Sequence, residues 1–262
     1  LLEDRDLAQK IGARGRECVA RTFPLEAFRE RWCTAIFEAA DRNASARRAG
    51  RTARVDRGIA TLLTYASTPH TTGRYVRDAL KKSNHVVTAG FQVPDEVVLD
   101  WGFEPPVPDY ARHDVNTSPD PTLPELIRAL PAGFAPELLL WVDSGQPVLS
   151  PAYRDMDAVK AAWFIDTHIS TAHRIEIARH FDLVFLAQKA QIEEFRAAGI
   201  PRVAWLPLGC SPELHNLPPR QRNLDVAFVG SLTSASGEKR RHFINAVRAA
   251  FPNQFIGHAW PH

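Results

Sequence analysis

Asp166-Thr167-His168 follows directly on the apolar run Trp163-Phe164-Ile165. A carboxylate and an imidazole so close together at the end of a strand can orient a hydroxyl group and take up its proton. The same residues also suit a plain turn, with Asp166 as its cap and His168 as a polar loop residue, since both types are common in loops. Asp143-Ser144-Gly145, after Glu137–Val142, is a parallel case in which the turn reading is stronger, because Asp-Ser-Gly is itself a turn sequence. Gln188-Lys189 stands in the same relation to Leu183–Leu186, either structural or facing a ligand.

Two further segments join small residues to the start of a helix. Ser67-Thr68-Pro69-His70-Thr71-Thr72-Gly73 can present backbone N–H groups to a polar or anionic ligand, or can cap a helix through Thr71 or Thr72. It is neither a GxGxxG nor a P-loop sequence, so it gives no support for nucleotide binding there. Gly230-Ser231-Leu232-Thr233-Ser234, followed by Lys239, Arg240 and Arg241, can hold a diphosphate through backbone donors and cations, or can be a solvated charge run. His173 and His180 lack a carboxylate partner in a metal-ligand pattern and read as ordinary helix residues, so no metal site is expected.

These segments need a frame that brings loop ends together, and the hydrophobic pattern supplies one. Short apolar runs at Ile59–Ala66, His85–Gly90, Glu137–Val142, Ala161–Ile165, Leu183–Leu186 and Val203–Leu206 alternate with amphipathic stretches. The stretches at Thr71–Lys82, Leu123–Leu130, Thr171–His180 and Ala190–Ala198 carry the spacing of helices, the last closed by Gly199. Residues 91–121 read as irregular, with a short strand near Val97–Leu99. This alternation predicts an α/β fold, a Rossmann-like parallel sheet covered on both faces. Ligands in such sheets sit beyond the carboxyl ends of the strands, where every segment named above falls.

The chain has 262 residues, 45% hydrophobic and 24% charged, which excludes wholesale disorder and fibrous repeats. Thirty-two Lys and Arg against 30 Asp and Glu give a net charge of +2, too balanced to make nucleic acid the default partner. Cys18, Cys33 and Cys210 are odd in number and widely spaced, which argues against a disulfide framework and for a reducing, cytoplasmic setting. No apolar run approaches the roughly 20 residues that span a bilayer. The first residues lack a signal pattern and the one methionine is Met156, so the chain reads as a piece of something longer.

Residues 1–42 read as two helices broken at Thr22-Phe23-Pro24-Leu25-Glu26, the second over Phe28–Ala40. Residues 43–58 belong to an arginine-rich stretch with almost no large apolar side chain, a linker rather than an anion-binding surface because no aromatics are interleaved. The Rossmann-like domain is expected over 59–222. Residues 223–262, with a strand at Asp225–Val229, a helix near Arg240–Ala250 and a strand at Gln254–Gly257, read as the opening of a second such domain.

Trp163–His168, Phe181–Lys189, Trp205–His215 and Asp225–Ser231 follow one another in order, and in this the chain resembles the CgeB-like spore-maturation glycosyltransferases over roughly 59–262. Leu1–Ala40, with Gly15-Arg16 and Phe23-Pro24-Leu25-Glu26, resembles more briefly the helical tail that ends GT-B transferases of the sucrose and mannosyl type. The resemblance implies the N-terminal half of a GT-B fold, preceded by another transferase's tail and followed by a truncated donor-binding domain. It implies transfer of a sugar from a nucleotide-diphosphate donor to an unidentified acceptor, with no cofactor beyond that substrate and no metal. Asp166 and His168 would be catalytic, with His168 the base. His70, Thr71, Thr72, Gly73, Asp143, Gln188 and Lys189 would face the acceptor, and Gly230, Ser231, Lys239 and Arg240 the donor. The acidic donor segment of the family would come after His262, so the chain alone is expected to be inactive or nearly so. The competing reading is a non-catalytic carbohydrate- or partner-binding Rossmann module. A flavodoxin-like regulatory domain is a weaker third, for want of an acidic cluster with a matching lysine.

Overall fold

Strands whose side chains are apolar on both faces have no side to offer water, and they become interior strands of a parallel sheet. In the computed structural model, which describes residues 5–22, 58–69, 71–100, 104–143, 149–215, 224, 226–229, 237–251 and 254–257, this is how the apolar runs are used. Strands β1 (Ala60–Thr64), β2 (His85–Gly90), β3 (Val115–Asn116), β4 (Leu138–Val142), β5 (Val159–Phe164), β6 (Leu183–Leu186) and β7 (Val203–Trp205) form one seven-stranded sheet. Every neighbouring pair is parallel, in the order β3-β2-β1-β4-β5-β6-β7. The fold is α/β and Rossmann-like. Its strand order reverses between β1 and β4, the place where loops from the two halves diverge and leave a crevice.

Helix α1 (Arg5–Thr22) precedes the sheet in sequence; α2 (Gly73–Leu80), α3 (Asp95–Asp100), α4 (Leu123–Ala129), α5 (Pro151–Arg154), α6 (Thr171–Ala178) and α7 (Ile192–Ala197) connect its strands. The register sets one face of the sheet: Leu62 lies beside Val87 and Leu139, and Trp141, Ala162, Val184 and Val203 continue the row. Leu126 of α4 and Leu130 just after it, with Ala152 and Tyr153 of α5, bury one half of that face. Ile175 and Ala178 of α6 with Ile192 and Phe195 of α7 bury the other. Burial is worth about 1.5–3 kcal/mol for each large side chain, so this layer fixes where the loops at the strand ends stand. Gly199, at φ 87°, ends α7 in the left-handed conformation that a glycine takes without strain.

Three elements differ from the sequence pattern. Val97–Leu99 is helical, part of α3, and the third strand is Val115–Asn116 instead. Pro94 accepts the first backbone bonds of the turn, Asp95 and Glu96 sit at its positive end, and Val98 is buried beside Val107 and Ala111. The one-turn helix α5 was not evident from the pattern, although Ser150-Pro151 is a good helix start. Pro212–His215, for which no element was expected, forms a short helix, α8.

Strands β8 (Val226–Val229) and β9 (Gln254–Gly257) pair in parallel as a separate two-stranded sheet, joined by α9 (Gly237–Ala250). The chain divides into two compact units, residues 1–54 and 55–262. The second expected N-terminal helix and nearly all of the arginine-rich stretch lie outside the described residues, as do His70, Gly230 and Ser231. No described helix is long and apolar enough to cross a membrane. Cys18 and Cys210 are exposed.

Candidate functional site

The Asp166–His168 turn leaves the carboxyl end of β5 and is fastened through its middle residue. Thr167 is buried and its hydroxyl donates to Gln188 Oε1 at 2.9 Å, with its backbone N–H on the same oxygen at 3.2 Å. The Thr167 carbonyl accepts from the Thr171 hydroxyl at 2.8 Å, and Ile169 N–H closes the turn on the Asp166 carbonyl at 2.9 Å. Ser170, just before α6, is held at φ 54°, a left-handed backbone that costs a serine about 1 kcal/mol or more. Thr167 turns inward, leaving Asp166 half-buried and His168 exposed. Neither of those two side chains has a hydrogen bond or ion pair among the described residues.

A buried ion pair stands behind this turn. Arg174 of α6 and Asp143 at the end of β4 are 1% and 0% exposed, with Arg174 Nε donating to Asp143 Oδ2 at 2.7 Å. The same guanidinium donates through Nη1 to the carbonyl of Ile169. Taking two charges out of water is costly, and the hydrogen bonds to carboxylate and carbonyl offset that cost. One side chain thus ties the end of β4, the loop after β5 and the first turns of α6 together. Asp143, expected on the acceptor surface, is a buried positioning group here. Arg174 carried no sequence signal, because its partner lies 31 residues away.

Gln188 and Lys189 follow β6, the neighbour of β5. Gln188 is committed to Thr167, while Lys189 is exposed with its ammonium 5.3 Å from the centre of the Trp205 ring. The Trp205 indole donates to the Ala187 carbonyl at 3.1 Å and remains 38% exposed, a fixed aromatic surface beside the turn's anchor. Trp205 is a site-edge residue that the strand pattern absorbed.

The β1 edge is built differently. Thr72 stands at the N-cap of α2 and makes no side-chain cap bond, while the Thr71 hydroxyl before it accepts from Gly73 N–H at 3.2 Å. Gly73 is required by a close approach: a Cβ there would meet the Tyr65 ring at 2.1 Å. His113 also packs against Tyr65, ring centres 4.4 Å apart, with Nε2 at 2.9 Å from the Tyr65 carbonyl. A carbonyl only accepts, so Nε2 carries the proton and Nδ1 is a bare lone pair, buried and without a partner. Burial lowers the His113 pKa to about 4, against smaller opposing effects of the Tyr65 carbonyl and Asp114, and burial raises that of Tyr65. His113 is therefore neutral and structural.

Also at this edge, Arg74 in the first turn of α2 lies over two tyrosine rings, 4.7 Å from the centre of Tyr75 and 4.2 Å from that of Tyr110. An arginine on a helix surface gives no signal in sequence, since such positions are usually solvated. Lys239 lies in α9, and Arg240 lines an apolar hollow with Phe228, Phe243 and Ile256. The structure thus gathers Asp166, Gln188 and Lys189 on adjacent strand ends and places Thr71, Thr72 and Gly73 at β1, two strand spacings from β5, about 10 Å. Among the described residues no group of three His, Cys, Asp or Glu is arranged to hold a metal. No protein-family model matches the chain, and none of the curated proteins matches it.

Proposed function

We propose that this chain forms the acceptor side of a glycosyltransferase that moves a sugar from a nucleotide-diphosphate donor to a hydroxyl acceptor. One observation carries the reading. Asp166 and His168 are the two titratable side chains on a turn that four hydrogen bonds pin in place, and neither is spent on holding it. A pinned backbone under uncommitted acid–base groups suits general-base catalysis, because the backbone that carries them is already fixed. The Rossmann-like sheet, with this turn at its carboxyl edge, and the ordered resemblance to CgeB-like transferases support the same assignment. In this reading His168 accepts the acceptor's hydroxyl proton as its oxygen attacks the anomeric carbon. The bond to the nucleoside diphosphate breaks, and that diphosphate leaves with the electron pair. Asp166 orients the acceptor. Trp205 offers a flat apolar face of the kind on which sugar rings pack.

The test is an assay of the polypeptide encoded by the complete reading frame against a set of nucleotide sugars, following release of nucleoside diphosphate. Release that depends on an added hydroxyl acceptor supports transfer. Saturable sugar binding without release of diphosphate from any donor favours a carbohydrate-binding module and overturns the reading.

A further inference from the structure

The structure assigns Arg74 to a second ligand site, one that takes a phosphoryl oxyanion at the carboxyl end of β1. The neighbouring arginines show what an ordinary one does here: Arg77 pairs with Asp78 at 2.9 Å and Arg112 with Asp109 at 3.1 Å. Arg74 pairs with no acid among the described residues, and its Nε–H is buried without an acceptor. An N–H of a charged group removed from water and left unbonded is a cost that native structures rarely carry without a use. The guanidinium is also immobilised, stacked on Tyr75 and Tyr110, with Tyr110 itself held by its hydroxyl on the Pro69 carbonyl at 3.2 Å. These contacts leave the N–H groups of the guanidinium unpaired with any acid among the described residues, and they form a planar fork of donors that matches two oxygens of a phosphoryl group. The residue is half-buried, and it lies in the first turn of the helix that follows β1, the strand at which the order reverses. This assignment does not rest on the transferase reading, and it holds for any phosphorylated ligand of the fold.

Titration of the 262-residue chain with inorganic pyrophosphate, followed by the NMR signal of arginine Nε–H groups, tests it directly. The expected result is a saturable shift of the Arg74 signal, with affinity at least about tenfold weaker in Arg74→Gln at an unchanged melting temperature. A nucleoside diphosphate in a second arm binds more tightly if the phosphoryl group belongs to a nucleotide, and equally if a free phosphoryl group is the ligand. Either result supports the site. Should Arg74→Gln fail to fold, Arg74→Lys keeps the charge but lacks the fork, and it is expected to bind pyrophosphate several-fold more weakly. An absent shift, wild-type affinity in the folded variants, or equal binding of succinate overturns the assignment.

Discussion

Two buried ionisable groups, Arg174 and His113, decide how this protein answers substitution and acid. Arg174→Met removes the cation bonded to the buried Asp143 carboxylate, an expected loss of about 3–5 kcal/mol by chemical denaturation. Combining it with Asp143→Leu removes both charges and is expected to recover most of that loss. His113 gives a different signature. Its folded pKa of about 4 lies below the ordinary 6.5, so the unfolded chain binds the proton more readily. Stability from this group is whole above pH 6.5 and falls as pH drops towards 4, by an amount on the order of 3 kcal/mol. Asp114 acts lower. Burial pushes its carboxyl up, but the Thr88 N–H and hydroxyl and the Lys81 ammonium more than offset this and hold it below the ordinary value. Its contribution is therefore lost only as pH falls below the usual carboxylate range. Thermal melts across pH 4–7 are expected to show the upper slope in the wild type and to lose it in His113→Phe.

The turn after β5 owes its shape to the elements on either side, and its first contact with α6 is under strain. Ser170→Gly relieves the positive φ and is expected to raise stability by up to about 1 kcal/mol, whereas Thr167→Val removes the bond to Gln188 and is expected to lower it by about 1–2 kcal/mol. Unfolding curves for the two variants check both signs. Strands such as His85–Gly90 and Leu183–Leu186 were legible in the sequence to the residue, because unbroken apolar runs have one use in a parallel sheet. Val97–Leu99 misled for the same reason. Its three apolar residues look like a strand until Pro94 and the acidic first turn are weighed. The Asp166–His168 turn was legible as a place of interest, but its means of support was not. Arg174 and Gln188 act through contacts with residues 31 and 21 positions away, which local spacing does not encode. Arg74 was hidden by its setting, since only Tyr110, far along the chain, distinguishes it from a solvated helix arginine.

At the scale of the molecule, the Rossmann-like sheet explains why so many separate segments meet at one edge, and it does not by itself confer an activity. What turns that edge into a candidate active site is the contrast between its two kinds of polar group. Asp143 with Arg174 and Thr167 with Gln188 are bonded in pairs and give the edge its rigidity; Asp166 and His168 are held out from it. The account therefore predicts that chemistry and stability separate cleanly. The most direct measurement is turnover of the His168→Ala variant in the proposed sugar transfer, alongside its melting temperature. A fall of about a hundredfold or more in kcat with an unchanged melt is the expected result; turnover within a few-fold of the wild type contradicts it.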